Sequence, residues 1–95
     1  MSANKILIVD DEEIIVRLLS MSLRSDGYET ITAYNGEQGL AAFKSESPDI
    51  VVTDIKMPGM DGHETLAQIK KIKPDLPVIM LTGHGDKPSA RQALV

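Results

Sequence analysis

The fold is decided by one stretch of sequence, residues 49–62, which is Asp49-Ile50-Val51-Val52-Thr53-Asp54-Ile55-Lys56-Met57-Pro58-Gly59-Met60-Asp61-Gly62. Its β-branched apolar run, residues 50–53, predicts a strand that is buried on both faces. Asp54 follows at the end of that strand, and a Pro-Gly turn then leads to a helix start at Asp61. Because ligands bind at the carboxyl ends of strands in an open parallel sheet, Asp54 is the first candidate for a reactive residue.

Composition limits the classes of function. The 95 residues predict one domain, and 42% hydrophobic with 25% charged residues is ordinary for a soluble globular protein. A net charge of −4 offers no basic face for phosphates, so we expect no direct nucleic-acid binding. The absence of cysteine excludes disulfides and thiolate metal sites and fits a cytoplasmic protein. We expect no membrane contact, since neither a signal peptide nor a membrane-spanning apolar run is present.

Strand and helix patterns alternate along the chain. Apolar or β-branched runs predict four strands, at residues 6–9, 28–33, 50–53 and 77–82. Helices are predicted from Asp10 to Gly27, from Asn35 to Pro48, from Asp61 to Lys73 and from Asp86 onward. The second strand is more polar and is expected near an edge. The pattern predicts (βα)₄, an α/β fold with a doubly wound parallel sheet, right-handed crossovers and helices on both faces.

The helices carry apolar residues at helical spacing, which we expect to face the sheet. Gly39 should allow close approach of the second helix. The apolar stripes are Ile14, Ile15, Leu18, Leu19 and Leu23 in the first helix, Leu40 and Phe43 in the second, and Leu66, Ile69 and Ile72 in the third.

Four polar residues fall where strands end. Asp10 and Asp11 follow the first strand, Asp54 follows the third, and Thr82 ends the fourth. The topology therefore puts them at one edge of the sheet. Three converging carboxylates repel one another without a cation, and hard oxygen ligands suit Mg²⁺. A carboxylate beside Mg²⁺ can attack a phosphoryl group and form an acyl phosphate, while a hydroxyl such as that of Thr82 donates to the transferring oxygens.

Each of these residues also has an ordinary structural explanation. Acidic residues 10–12 taken alone are typical of a helix N-cap with favourable dipole charges. Asp54 alone is typical of a turn, and Thr82 alone is a strand residue. Their combination favours a site, because independent caps have no reason to fall on alternate strands at the same edge of a sheet.

These residues carry a resemblance to the receiver domains of two-component response regulators, the family that includes CheY-like proteins. The spacing from Asp11 to Asp54 to Thr82 is that of the family. The matching segments are residues 6–12, 27–29, 33–36, 48–62 and 77–83. The resemblance implies a flavodoxin-like sheet with strand order 2-1-3-4-5.

The resemblance also implies a phosphorylation site. The resemblance implies that Asp54 is the phosphoacceptor. It also implies that Mg²⁺ is held by Asp10, Asp11, Asp54 and the backbone carbonyl of Lys56, and that Mn²⁺ could substitute for Mg²⁺. The donor implied is a sensor histidine kinase or a phosphotransfer protein.

Further roles are implied for residues around the site. Thr82 would be the switch hydroxyl that turns toward the phosphoryl group, and Gly83 is small enough for substrate to reach the acceptor. Lys56 and His84 match positions that tune dephosphorylation in the family.

The family pattern extends further than this chain. It continues through a fifth strand, which ends in a lysine that pairs with the phosphoryl group, and a fifth helix, whereas this chain stops at Val95. We therefore expect a C-terminally incomplete receiver domain over residues 1–95, without an output domain and with strand order 2-1-3-4. Residues 78–81 would become an edge strand, and apolar residues such as Ile6, Ile8, Ile14 and Leu18 would be bared. A homodimer through that side is expected.

Two functions of different class follow. The favoured function is a phosphoacceptor switch that takes part in its own phosphotransfer without being an enzyme. The alternative is a truncated receiver that acts as a phosphorylation-independent interaction or dimerisation module. A third function, a phosphatase with an aspartyl nucleophile, is weakly supported, because such enzymes place a second Asp two residues after the nucleophile and Lys56 stands there.

Overall fold

A computed structural model of the chain describes residues 4–55 and 62–81. The described strands form one parallel sheet, as the sequence pattern predicts, in the order β2-β1-β3-β4 that the family resemblance implies. The strands are β1 (Lys5–Val9), β2 (Glu29–Ala33), β3 (Ile50–Asp54) and β4 (Val78–Leu81), and the helices are α1 (Glu13–Ser25), α2 (Gly36–Glu46) and α3 (Gly62–Ile72).

The central strand β1 is buried on both faces and separates two apolar clusters. Leu7 and Val9 point to one face, where they pack with residues of α2 and α3. Ile6 and Ile8 point to the other face, where they pack with Val16 of α1. Both are buried, at 4% and 0% exposed, so the expectation that they would be bared is wrong. Successive side chains of a strand alternate between faces, so a continuous apolar run fills both cores at once.

The register of β3 sets the functional edge of the sheet. Val9 of β1 pairs with Thr53 of β3, and Asp54 pairs with Leu81 of β4. Gly39 of α2 lies close to the end of β1, where an added Cβ would be 2.8 Å from a Val9 methyl group. The predicted close approach of α2 is confirmed.

The C-terminus of α1 and the N-terminus of α2 lie at the capping residues that the sequence predicts. Gly27 has a φ of 96° after α1, and its N–H donates to the carbonyl of Arg24 at 2.9 Å, a C-terminal cap that favours glycine. Asn35 precedes α2, and its side chain accepts a hydrogen bond from the backbone N–H of Gln38 at 2.7 Å.

The predicted inward stripe of α1 is partly wrong. Val16, which is outside that stripe, is 1% exposed, whereas Ile14 is 68% and Leu18 is 61% exposed. At 100° per residue, positions two before and two after Val16 lie about 160° from it around the helix axis. The sheet therefore buries Val16 with Leu19 and Leu23 packed beside it, and leaves Ile14 and Leu18 in water.

The stripe of α3 needs a similar correction. Thr65 and Ile69 are buried, but Ile72 is 54% exposed. A strict three-residue spacing rotates by about 60° at each step relative to a 3.6-residue helix, so the stripe turns away from the sheet by its third member.

None of the helices in the described part of the chain has the length and apolar character needed to cross a membrane. The predicted last helix, from Asp86, lies outside the described residues.

Candidate functional site

Asp10 and Asp54 are brought side by side by the pairing of β1 with β3. Val9 is opposite Thr53 in the register, and one more residue on each strand gives the two aspartates. Asp54 is the last residue of β3, where the sequence predicts it to follow the strand. Asp10 is 1% and Asp54 is 0% exposed, so both carboxylates are held inside the carboxyl edge of the sheet.

The third carboxylate comes from the residue after Asp10. Ligand oxygens of Asp10, Asp11 and Asp54 all lie within 4.8 Å of one another. Asp11 is exposed while the other two are buried. The predicted convergence of these aspartates is confirmed, and the cluster opens to solvent on the side of Asp11.

Asp10 serves both the cluster and the start of α1. Its Oδ1 accepts a hydrogen bond from the N–H of Glu12 at 2.9 Å, and its own N–H donates to the Ala33 carbonyl at 3.1 Å. The first bond turns the chain from β1 toward α1, which begins at Glu13. Asp10 therefore shapes the turn before α1 as well as belonging to the cluster, whereas the N-cap residue of α1 is Glu12, whose side chain makes no capping hydrogen bond.

The Asp54 side chain is oriented by the residue that follows it. Its Oδ1 accepts from the N–H of Ile55 at 2.9 Å, and the same N–H lies 3.2 Å from the Leu81 carbonyl. The carbonyl of Ile55 in turn accepts from the N–H of Gly62 at 2.8 Å. The end of β3 is thereby tied to β4 and to the first residue of α3.

The cluster has the donor set of a hard-cation site. Two carboxylates within 4.8 Å repel each other by more than about 3 kcal/mol at an effective dielectric constant of about 20. A divalent cation removes this repulsion, and carboxylate oxygens are the ligands that Mg²⁺ prefers. Asp10, Asp11 and Asp54 therefore fit such an ion by number, chemistry and spacing.

The other predicted site residues lie outside the described residues. They are Lys56, Thr82, Gly83 and His84. Their roles in metal binding, switching and dephosphorylation stay predictions.

Comparison with known proteins decides the family. The family model of the response regulator receiver domain matches residues 6–95. The chain belongs to this family. Receiver domains of two-component response regulators accept a phosphoryl group on an aspartate, and the aspartate cluster lies at the edge of the sheet where such chemistry is expected.

Individual relatives agree with the family. The chain is 42% identical over 85 residues to the transcriptional regulatory protein GlrR of Escherichia coli, and this alignment covers 90% of the chain. It is similar to a receiver domain protein of Clostridium thermocellum, with 46% identity, a TM-score of 0.81 and coverage of 87% of this chain and 68% of that one. It is also similar to the response regulator TrrA of Thermotoga maritima, solved in complex with Mg(2+)-BeF, with 45% identity, a TM-score of 0.81 and coverage of 86% and 71%.

The receiver domain is a small part of some of these proteins. It spans 19% of the length of GlrR and 35% of the length of the transcriptional regulatory protein PhoP of Bacillus subtilis. The activities of those whole proteins are therefore not transferred to this chain.

Gly62 is a site residue that sequence reasoning missed. A Cβ built on Gly62 would overlap the backbone carbonyl oxygen of Asp54 and would lie 2.8 Å from Cα of Ile55. Both contacts are with backbone, which cannot move without displacing the end of β3. Glycine directly after Asp61 at a predicted helix start is an available signal, but only the close approach explains it.

Gly62→Ala should therefore damage the site through the backbone of Asp54. Overpacking against backbone costs about 1–3 kcal/mol, so we expect urea unfolding to show a loss of that size. The amide signals of residues 53–55 should shift as well. His63→Ala, a change at an exposed neighbour in the same helix, is the matched control and should leave stability and those signals nearly unchanged. If Gly62→Ala and His63→Ala had equal effects on stability and on the amide signals of residues 53–55, Gly62 would have no role in positioning the end of β3.

Proposed function

We propose that this receiver domain is a phosphoacceptor switch that takes a phosphoryl group on Asp54 from a sensor histidine kinase or a phosphotransfer protein. The observation that carries the proposal is the convergence of three carboxylates, two of them buried, at the carboxyl edge of the sheet. Membership of the receiver family supports it.

The reaction needs one nucleophile and a site that tolerates added negative charge. A carboxylate oxygen of Asp54 forms a bond to phosphorus while the bond from phosphorus to the donor nitrogen breaks, and that nitrogen keeps the electron pair. The N–H of Ile55, which holds Oδ1 of Asp54 at 2.9 Å, leaves the carboxylate in a fixed orientation for attack. The product is an acyl phosphate on the domain itself.

Mg²⁺ is the cofactor that we propose for this site. Asp10, Asp11 and Asp54 would hold it, together with the backbone carbonyl of Lys56. The ion supplies neutralisation of the negative charge on the carboxylates and on the transferring oxygens. The Thermotoga maritima relative, solved with Mg(2+)-BeF, supports the choice of metal.

We propose that the domain is modified in this reaction and is not an enzyme that turns over a separate substrate. Lys56 stands two residues after Asp54, where aspartyl phosphatases place a second acid. The proposed reaction takes place in the cytoplasm, and Thr82 and Gly83 would respond to the phosphoryl group.

An exposed stripe on α1 supports docking of a helical partner beside the aspartates. Ile14, Leu18 and Met21 are 68%, 61% and 62% exposed and follow the i, i+4, i+7 spacing of one helix face. The stripe starts in the first turn of α1, three residues after Asp11. An amphipathic helix of a kinase or phosphotransfer protein could pack on it with its donor histidine near the cluster.

The metal proposal predicts a site-specific response to Mg²⁺. Titration should shift the backbone amide signals around residues 10–12 and 54–55, and Asp11→Ala should abolish the response because a ligand is lost. Mn²⁺ should broaden the same signals, because it takes the same octahedral oxygen ligands and its unpaired electrons broaden nearby resonances. Glu13→Ala, which removes an exposed charge close to the cluster, is the control and should keep the response. Unchanged Mg²⁺ binding by Asp11→Ala would refute the metal site.

The phosphoacceptor proposal predicts one added phosphoryl group after incubation with acetyl phosphate and Mg²⁺. Intact mass should show it in the parent chain, and alkali should remove it because acyl phosphates hydrolyse in base. Asp54→Asn should show none. A phosphate in Asp54→Asn, or one that is stable to base, would refute the assignment.

The docking stripe predicts a defect that depends on the donor. Leu18→Ser should slow transfer from the histidine kinase that best phosphorylates the parent chain, by about tenfold for the loss of one apolar contact. Transfer from acetyl phosphate should not change, because that donor needs no protein surface. Ile72→Ser removes another exposed aliphatic side chain, on α3, and is the control with no expected effect on either donor. Equal slowing of both donors would contradict docking at this stripe.

A second candidate function, dimerisation without phosphorylation, is favoured by an apolar groove beside α1. The groove has a volume of about 230 Å³ and lies between the side chains of α1 and the sheet, with Leu19, Leu23, Tyr28 and Ile79 among its walls. In the described part of the chain, β4 is the last strand of the sheet. The same groove on a second copy, related by a two-fold axis, would cover this apolar surface.

Dimerisation predicts a molar mass that rises with protein concentration. Light scattering at dilute and concentrated protein should show the change, and Leu23→Lys should prevent it by placing a charge in the groove. Leu18→Lys puts the same charge on the exposed side of α1 and is the control, with dimerisation retained. A well-folded monomer at every concentration, with sharp and dispersed amide signals, would exclude this function.

A further inference from the structure

A second concave surface lies at the edge of the sheet opposite the aspartates. The segments that lead into β3 and β4 meet there, and between them is a pocket of about 250 Å³. One strand length of five residues, about 16 Å, separates this amino edge from Asp54. The pocket is lined by Phe43, Lys44, Ser47, Pro48, Ile72 and Lys73.

The floor of the pocket is apolar. Phe43 is 5% exposed and belongs to the core between α2 and the sheet, and Pro48 is buried. Ile72 forms part of the wall and keeps 54% of its surface in water, although it is a large aliphatic side chain. A partner side chain that covered Ile72 would remove its apolar surface from water, and the buried floor of the pocket would support that side chain from below.

Two lysines give the pocket a positive rim. Lys44 and Lys73 both line it, and neither takes part in the ion pairs of the described residues. By contrast, Lys70 of the same region donates to the backbone carbonyls of Leu76 at 2.6 Å and Pro74 at 3.1 Å. The chain as a whole has a net charge of −4, so these two lysines make the pocket a local positive region on an acidic protein.

Helix stability accounts for only part of this arrangement. A lysine in the last turn of a helix interacts favourably with the helix dipole, which explains Lys44 in α2. Lys73 directly follows α3, where the dipole also favours a cation, but the dipole gives no reason for the large aliphatic side chain of Ile72 to remain exposed beside the two lysines.

We infer that this pocket binds a short acidic peptide segment of a partner protein. An apolar side chain of the segment lies on Phe43 and Ile72, and carboxylates on either side pair with Lys44 and Lys73. Two cations match a few peptide carboxylates, whereas a nucleic acid requires several phosphate contacts. Because the pocket is at the amino edge, the bound segment leaves the aspartate cluster open, and the inference is independent of phosphorylation.

The test uses the whole chain and the capped peptide Glu-Glu-Leu-Glu-Glu as a probe. Amide signals of residues 43–48 and 70–74 should shift saturably, while those of residues 10–12 and 54–55 should stay. Replacing the leucine of the probe by serine should weaken binding about tenfold, the cost of one apolar side chain. Replacing its glutamates by glutamines should weaken binding about fivefold, the typical value of a few exposed ion pairs.

Variants separate a pocket from general attraction between charges. Lys44→Gln combined with Lys73→Gln should weaken probe binding about fivefold or more, in a chain whose amide dispersion shows that it is folded. Lys71→Gln removes one positive charge, half of the charge lost in the double variant, at a residue of α3 that does not line the pocket, and should change binding less than about twofold. Asp54→Asn should bind the probe as the parent does, so a failure of the phosphoacceptor proposal would not affect the result.

Three outcomes would overturn the inference. The first is shifts spread over the whole chain, and the second is an equal loss of binding in Lys71→Gln and in the double variant. The third is a single-stranded oligonucleotide of matched charge that binds at residues 43–48 as tightly as the probe, since it would make the site a general anion site.

Discussion

The pairing of β1 with β3 is the interaction on which the site depends. Val9 opposite Thr53 puts Asp10 beside Asp54 at the carboxyl ends of the two strands. A slip of one residue would also exchange the faces of Leu7 and Ile8, which are both completely buried in different cores. The apolar packing of β1 therefore fixes the geometry of a polar site that it does not itself touch.

The site carries an electrostatic cost that the rest of the domain offsets. Asp10 and Asp54 are buried within reach of each other and of Asp11, an arrangement that opposes folding. Hydrogen bonds from the N–H groups of Glu12 and Ile55 hold the two buried side chains in place. The backbone of Gly62 lies against the end of β3, which further restrains the position of Asp54.

The fold distributes its surfaces in a way that follows from the parallel sheet. The carboxyl edge holds the aspartates, α1 presents an apolar stripe beside them, and the amino edge holds the basic pocket. Strands that all run in one direction separate helix starts from helix ends. The domain therefore has an acidic edge where α1 starts and a basic edge where α2 and α3 end.

The sequence by itself determined the order of elements, the parallel sheet and the convergence of Asp10, Asp11 and Asp54. These features depend on local periodicity, which consecutive residues show directly. They also depend on the general rule that the carboxyl ends of parallel strands meet at one edge of the sheet. The proposed roles of Lys56 and Thr82 come from family resemblance and stay predictions.

Only the tertiary structure decided which apolar side chains are covered. α1 is apolar at positions on opposite sides, so its pattern could not distinguish Val16, which the sheet buries, from Leu18, which it leaves in water. The role of Gly62 depends on the approach of two backbones, and the basic pocket depends on the packing of α2 against α3, which brings Lys44 and Lys73 together. Such contacts depend on how the helices and strands pack together, which the periodicity of a single segment does not encode.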